Sequence, residues 1–337
     1  MHKAWAWMPR PACTSASPRR AVTTLGLRWR KKVSSAAPAH LRWLSMLPIA
    51  RRKTTPSSSP RAAKAMRVVY SEAMTAPPQG GSPSAGKPGP VVAAWRAAWP
   101  ALQVRPPVPV TVEQLCRAHD RDYVEDVLAL RRPNGFGTLN AEVAASLRYT
   151  NGALLTAARW ALQDGGAVAA PVSGFHHVCW ARGGGFCTFN GLMVAALALR
   201  ADAPGLQVGI LDYDYHYGDG TEDILRRVGR TGITHVTAGA DWHRGADASA
   251  FLDAIPEHLA TLAHCDLVLF QAGADPHIED PLGGFLTTTE LQRRDELVFQ
   301  GLRARGTPVA WDLAGGYQKP LAKVVDIHVG TMRASVG

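Results

Sequence analysis

The sequence predicts an α/β fold, with a single domain built on a mostly parallel sheet that is flanked by helices. Two observations predict it. Short apolar runs alternate with longer helical segments from residue 67 onward, and each of four such runs ends in a polar cluster. Buried parallel strands have nearly continuous apolar sequences, and helices cover both faces of such sheets. The 337 residues, of which 46% are hydrophobic, suffice for one large domain.

The formal net charge of +10 comes from the N-terminal segment. Of the 37 Lys and Arg residues, 14 lie in residues 1–66, which contain no Asp or Glu, so the rest holds 23 basic and 27 acidic residues. Residues 1–65 are therefore predicted to be a basic, disordered tail, an Arg-rich targeting segment, or sequence upstream of a native start at Met66. The folded part, residues 66–337, is not expected to bind nucleic acid. A basic tail that binds nucleic acid beside a silent domain is the non-enzyme alternative.

The composition also bears on location. No apolar run approaches the roughly 18 residues of a membrane span, so we expect no membrane partner. The five cysteines are odd in number and form no C-x-x-C pair, so neither a disulfide framework nor a zinc site built from cysteine is expected. We therefore expect a cytoplasmic protein.

Helical segments are indicated by apolar spacing and by capping residues. A capping box of Thr111 and Gln114 opens residues 109–132, and Thr287 with Glu290 opens residues 287–306. Two further helical segments are indicated over residues 141–166, as a helical pair or one interrupted helix, and over residues 191–204.

Strands are indicated by the segment that begins at residue 67 and by four apolar runs at 167–172, 206–211, 266–270 and 307–311. Polar clusters follow the four runs in turn: the pair His176 and His177, then "DYDYHYGDGT" (212–221), "QAGAD" (271–275) and "DLAGGYQK" (312–319). In parallel α/β sheets, ligands bind beyond the carboxyl ends of the strands. The four clusters therefore predict one shared site.

Three residues of these clusters have the chemistry of a metal site. Asp214 and His216 lie on one face of an extended segment, and Asp275 can supply a third ligand. Two carboxylates and one imidazole leave a coordination position for water, as catalytic zinc sites do. Taken alone, an Asp-x-His pattern is more typical of a solvated acidic loop. The neighbouring clusters favour the metal site.

His176 and His177 would then supply acid–base function near a metal-bound water. A neutral imidazole needs a partner that fixes its tautomer, and Asp212 and Asp219 are the candidates. Tyr317, after two glycines, is placed to donate a hydrogen bond into the site. Each of these features by itself is more often ordinary packing.

The blocks "GFHHVCWARGGGFCTFN", "DYDYHYGDGT", "AGADPHIEDPLGG" and "GGYQK" resemble the signature blocks of the histone deacetylase superfamily, in the same order. They are most similar to its class IV branch and to bacterial amidohydrolase relatives. The resemblance runs from about residue 67 to residue 333. It implies an arginase/deacetylase-like fold with about eight parallel strands and assigns residues 66–337 to a deacetylase-like catalytic domain.

The resemblance also implies roles for the candidate residues. Asp214, His216 and Asp275 match the zinc ligands of the family. His177 matches the general base and acid, and Asp219 matches the residue that orients it.

The remaining candidates surround this centre. His176, paired with Asp212, matches the electrostatic companion of the general base, and Tyr317 matches the residue that polarises the substrate carbonyl. Phe186 matches one aromatic wall of the acyl-lysine tunnel, and Gly185 the close approach of backbone to the substrate.

The implied cofactors are Zn²⁺, with Fe²⁺ as an alternative, and a structural K⁺ held by Asp212, Asp214 and nearby backbone carbonyls. The implied reaction is hydrolysis of an acyl group from an acylated amine, such as an acyl-lysine on a protein. Acetylpolyamines and other small acylamides are the alternative substrates, because residues 134–138 (NGFGT) offer no Asp to hold a substrate backbone. Arginase-like chemistry is disfavoured, since the sequence supplies ligands for one catalytic metal.

Overall fold

A computed structural model describes residues 66–337. The prediction for residues 1–65 falls outside the described residues and stays a prediction, as does the cytoplasmic location. The strands are β1 (Arg67–Val69), β2 (Gln103–Arg105), β3 (Ala167–Ala169), β4 (Val208–Asp212), β5 (Ile233–Thr237), β6 (Leu267–Gln271) and β7 (Val309–Asp312). The α-helices are α1 (Pro88–Ala98), α2 (Val112–Leu115), α3 (Arg121–Leu128), α4 (Ala141–Asp164), α5 (Gly191–Asp202), α6 (Asp219–Val228), α7 (Ala248–Thr261), α8 (Thr288–Ala304) and α9 (Ala322–Val336). Over the described range, no helix is both long enough and apolar enough to cross a membrane.

The strands form one sheet in the order β2-β1-β3-β7-β6-β4-β5, and every neighbouring pair is parallel. The predicted parallel α/β fold is confirmed, with seven strands in the described part of the chain where the resemblance implied about eight. Every residue of β4, β6 and β7 is buried. A strand without an exposed face is covered by packing on both sides, as in α/β proteins.

The four strands predicted from apolar runs lie side by side at the centre of the sheet, in the order β3-β7-β6-β4. Their carboxyl ends therefore meet at one edge, where the sequence predicts the site. Strands β2 and β5 were not predicted. Both are edge strands, and Thr and His residues interrupt the apolar pattern of β5.

The helix starts follow the predicted capping, but two helical segments differ from the prediction in their continuity. Both predicted capping boxes are present, at the start of α2 and at the start of α8. The segment 109–132 divides into α2 and α3, because Asp120 caps α3 by accepting a hydrogen bond from the amide of Tyr123 at 3.1 Å. The predicted interruption within residues 141–166 is wrong, because α4 is one continuous helix. Its Gly152 permits a close backbone approach, since a Cβ there would lie 2.1 Å from the carbonyl oxygen of Val108.

Trp311 on β7 connects the sheet to the helices packed on it. Its ring centroid lies 5.4 Å from that of Trp95 on α1 and 5.9 Å from that of Phe299 on α8. All three side chains are at most 2% exposed. Burial of a large apolar side chain stabilises a fold by about 1.5–3 kcal/mol. These contacts therefore fix the central strand, whose end leads into the predicted site.

Candidate active site

The structure brings the three predicted metal ligands together at the carboxyl ends of β4 and β6. Asp214, His216 and Asp275 each offer a ligand atom, and these atoms lie within 4.8 Å of one another. Nδ1 of His216 lies 3.1 Å from Oδ1 of Asp214 and 3.0 Å from Oδ2 of Asp275.

The backbone orients both carboxylates. The amide of His216 donates to Oδ1 of Asp214 at 2.9 Å, and the amide of Tyr215 donates to Oδ1 of Asp275 at 3.2 Å. Gly315 passes close to Asp275 with a φ of +56°, and a Cβ at this glycine would lie 2.2 Å from the same oxygen. Only glycine fits there, so the loop after β7 closes over the ligand cluster.

The electrostatics of the cluster fit a divalent cation. Burial and the neighbouring Asp214 raise the pKa of Asp275 to about 7. Burial opposes charge on His216, but hydrogen bonds and attraction from Asp214 and Asp275 outweigh it and raise its pKa to about 11. Two buried carboxylates around one imidazole nitrogen are a donor set that zinc accepts at catalytic sites. The residues therefore fit the implied metal.

His176 and His177 lie in a turn that follows β3, so both rings face the same site; their ring centroids are 4.0 Å apart. Nδ1 of His176 lies 2.8 Å from Oδ2 of Asp212. Burial alone would lower the pKa of His176, but Asp212 and Asp214 raise it to about 9. The ring therefore carries a positive charge at neutral pH.

His177 has the opposite electrostatic environment. Its Nδ1 lies 2.8 Å from Oδ1 of Asp219, the first residue of α6. Burial, and then the charge on His176, lower its pKa to about 4. With Nδ1 turned to Asp219, Nε2 is the nitrogen placed for proton transfer. Neighbouring groups whose pKa values are pushed apart are typical of acid–base sites.

Tyr317 reaches the cluster from the loop after β7. Burial and the carboxylates of Asp214 and Asp275 raise the pKa of its hydroxyl well above the ordinary value. The hydroxyl therefore keeps its proton and can act as a hydrogen-bond donor. The backbone amide of Tyr317 donates to Oδ2 of Asp280 at 2.8 Å.

Phe186 lies on a tight turn beside Tyr317 and borders a small cavity next to the site. Gly185 has a φ of +56° and Phe186 a φ of +64°, within a turn whose ends, Gly184 and Cys187, exchange two backbone hydrogen bonds of 3.0 and 2.9 Å. Two consecutive positive φ values define a type I′ turn, and a left-handed phenylalanine is uncommon. The ring centroid of Phe186 lies 5.6 Å from that of Tyr317 and 5.9 Å from that of Phe136. We call Phe136, Phe186 and the turn that carries Phe186 the aromatic mouth.

The predicted K⁺ site involves Asp212 and Asp214, next to the candidate metal ligands. The side-chain oxygens of Asp212 are already engaged: Oδ2 by His176, and Oδ1 by Nε2 of Gln271 at 2.9 Å and the amide of Asp214 at 3.2 Å. A cation there would rely on Asp214 and on backbone carbonyls. The K⁺ site stays a prediction.

Two cavities lie near the folded core. One of about 60 Å³ borders Gly174 and Phe186, next to the site. A larger one, of about 650 Å³, lies between the start of α1 and α4, is lined by Glu72, Glu142 and Tyr149, and contains none of the predicted site residues. Cavity volume therefore does not identify the candidate site. We assign the site from the side chains that converge at the carboxyl ends of the central strands.

Several residues that hold the site were missed by the sequence analysis. Asp280 supports the backbone of Tyr317, and Lys87, which is fully buried, donates to the carbonyl of Leu313 at 2.6 Å and to that of Gly315. Burial lowers the pKa of Lys87 to about 8. Lysine is almost never fully buried without partners, but burial is not visible in the sequence pattern of residues 77–90.

Arg294 was also missed, although a signal was available. The buried face of α8 includes Leu291, Val298 and Leu302, and Arg294 lies three residues after the first of these. A helical spacing of three or four residues places it on the same apolar face. A charged residue at such a position calls for buried partners.

The chain is similar to a known domain family and to several known proteins. The sequence model of the histone deacetylase domain matches residues 91–236. An uncharacterized protein of Picosynechococcus sp. is 32% identical over 210 residues, which cover 57% of this chain and 69% of that protein. Histone deacetylase 2 of Arabidopsis thaliana is 31% identical over 196 residues, 51% of this chain and 48% of that protein.

Acetylpolyamine amidohydrolase of Mycoplana ramosa is 25% identical over 175 residues, which cover 43% of this chain and 50% of that enzyme. The chain thus spans about half the length of these two named relatives. The crystal structure of acetylpolyamine aminohydrolase from Burkholderia pseudomallei has a TM-score of 0.65 at 18% identity and covers 80% of this chain and 98% of its own; this likeness concerns the fold. Together with the site, these matches show that the chain belongs to the histone deacetylase superfamily, a membership that supports a deacetylase function.

Proposed function

We propose that the protein is a metal-dependent hydrolase that removes acyl groups from acylated amines such as N-ε-acyl-lysine. One observation carries the proposal. His176 and His177 lie side by side with separate aspartate partners and pKa values of about 9 and about 4, beside a three-ligand cluster. One ring is thus kept charged and suited to stabilise negative charge, and the other is kept neutral and suited to accept a proton.

Asp214, His216 and Asp275 would hold the metal. When bound, a zinc ion lowers the pKa of a water and polarises the substrate carbonyl. Fe²⁺ also accepts imidazole and carboxylate ligands, so the donor set supports either ion.

His177 would move the protons. Its neutral Nε2 accepts a proton from the attacking water as the water oxygen bonds to the carbonyl carbon. When the C–N bond breaks, the protonated ring returns this proton to the nitrogen of the leaving amine. The products are a carboxylic acid and a free amine. Asp219 holds Nδ1 at 2.8 Å and so fixes the tautomer in which Nε2 takes part.

Tyr317 and His176 would stabilise the negative charge that develops on the carbonyl oxygen. Tyr317 retains its hydroxyl proton and donates a hydrogen bond, a contribution worth roughly 3–4 kcal/mol in a preorganised site. His176 contributes a positive charge that Asp212 keeps in place. The aromatic mouth suits an alkyl chain, which acyl-lysine and acylated polyamines share.

A substrate panel tests this proposal. Metal-loaded protein should hydrolyse an acyl-lysine peptide, an acetylpolyamine or a small acylamide, and a hydroxamate chelator should abolish turnover. His177→Ala should reduce kcat by roughly 10²–10⁴-fold while the protein still binds metal. No turnover on any substrate, or full turnover by His177→Ala, would falsify the proposal.

A further inference from the structure

Arg294 contacts the two chain segments that carry the candidate metal ligands. It is located on α8 and is 0% exposed. Its Nη1 donates to the carbonyl of Gly273 at 2.7 Å and to the carbonyl of Tyr213 at 3.3 Å. One guanidinium nitrogen therefore binds two separate chain segments.

These two segments carry all three ligands of the cluster. Tyr213 immediately precedes Asp214, and Gly273 lies two residues before Asp275. The pairing of β4 with β6 ends at Asp212 and Gln271. Beyond it the amide of Tyr213 donates to the carbonyl of Gln271 at 3.0 Å, but the carbonyls of Tyr213 and Gly273 are bound by Arg294 rather than by strand pairing. Buried carbonyls there need another donor. Arg294 supplies it where the sheet stops.

The two segments also pack closely, which makes their separation sensitive to small shifts. A Cβ at Gly273 would lie 2.6 Å from the Cα of Asp214 and 2.8 Å from the carbonyl oxygen of Tyr213. The ligand atoms depend on this spacing, because a metal site tolerates little displacement of its donors.

The guanidinium is itself held in place. Nε donates to Oδ1 of Asp295 at 2.9 Å, and Oδ2 of Asp295 accepts a hydrogen bond of 2.6 Å from Thr331 on α9. Arg294 and Asp295 carry opposite charges, so the pair adds no net charge near the cluster. The planar fork of arginine can serve the carboxylate and the carbonyls together, which a lysine ammonium cannot do with the same geometry.

We propose that Arg294 is a positioning residue for the metal centre. It fixes the distance between the segment with Asp214 and His216 and the segment with Asp275. This inference rests on the proposed metal site, since the ligands it positions are those assigned there.

The test is the affinity for Zn²⁺, measured by competition with a chromogenic chelator in the full chain. Arg294→Gln should bind Zn²⁺ about 10–100-fold more weakly, the range typical of residues that orient metal ligands. Arg294→Lys should recover part of this loss. Leu302→Ala is the matched control, because it removes a buried side chain from the same helix without touching the carbonyls. It should lower the melting temperature and leave the Zn²⁺ affinity unchanged.

Wild-type Zn²⁺ affinity in a folded Arg294→Gln protein would overturn the inference. If Arg294→Gln does not fold, wild-type affinity in Arg294→Lys would overturn it instead. If the wild-type protein binds no Zn²⁺, the proposed function fails, and hydrogen exchange of the metal-free protein decides this inference separately. Amides of residues 213–216 and 273–275 should then exchange faster in the Arg294 variant that folds than in Leu302→Ala, and equal rates would overturn it.

Discussion

The floor of the site and the aromatic mouth are built in different ways. The floor consists of His176, Asp212, Asp214 and Asp275, which are at most 4% exposed and lie at or beyond the carboxyl ends of β3, β4 and β6. Each of these side chains has a polar partner within 3.2 Å. The mouth lies on loops and is held by ring contacts and one left-handed turn.

This difference suits the floor to a fixed geometry and the aromatic mouth to variation in substrate. Groups fixed by several hydrogen bonds on a buried sheet edge keep one geometry, which amide hydrolysis requires. Loop residues with half-exposed rings can differ between related proteins without disturbing that geometry. We therefore expect the proposed chemistry to depend on the floor and the choice of substrate to depend on the mouth.

The largest expected effect tests whether Tyr317, which touches both regions, works with the floor. Tyr317→Phe should reduce kcat by about 10²–10³-fold, because one preorganised donor to the developing charge is lost. KM and bound metal should change little, since the ring and its contact with Phe186 remain. A variant that raises KM without lowering kcat would instead place Tyr317 with the mouth. Steady-state kinetics and metal analysis distinguish these outcomes.

The second prediction concerns the pH dependence of metal binding to the floor. Below pH 11 the metal must displace a proton from His216, whose pKa is about 11, and below pH 7 Asp275 is protonated as well. Affinity should therefore rise about tenfold per pH unit from pH 7 to 11, and fall nearly a hundredfold per unit below pH 7. Titration in buffers of different ionisation enthalpy measures the released proton. Binding without proton release near pH 8 would contradict the assignment of these ligands.

The smallest expected effect belongs to the mouth. Phe186→Ala should lower kcat/KM for an acyl-lysine peptide by roughly tenfold, the loss of about 1–2 kcal/mol of apolar contact. It should leave the turnover of a small acylamide without an alkylamine arm nearly unchanged. Phe136→Ala is the companion variant, and we expect a weaker effect because its ring contacts Phe186 rather than Tyr317. Equal losses on both substrates would show that the mouth also shapes the floor.

Sequence reasoning located the floor because its residues follow apolar strands directly. His176, Asp214 and Asp275 each come within a few residues of a strand end, and parallel strands bring their ends to one edge. The supports of the floor were missed for the opposite reason. Gln271 and Arg294 act through contacts with residues distant in the chain, and although helical spacing marks Arg294 as buried, it does not identify these partners.

The aromatic mouth was predicted only in part. The resemblance implied that Phe186 is a wall of the substrate tunnel, but the tight turn and the left-handed conformation of Phe186, which aims the ring, were not predicted. Phe136 was noted only as part of a loop without Asp, because its partner lies 50 residues further along the chain. Edge strand β5 was missed because its pattern is only partly apolar.

The position of β7 has a consequence for the order of synthesis. Of the seven described strands, β7 is synthesised last, yet it lies between β3 and β6. Until residues 309–312 emerge, the histidine pair after β3 and the ligand aspartates after β4 and β6 belong to two half-sheets with no strand between them. A nascent chain that ends before residue 309 contains the histidine pair and the ligand aspartates but does not hold them together. The site therefore cannot take its final arrangement before residues 309–312 are made, and Tyr317, which follows them, is still needed to complete it.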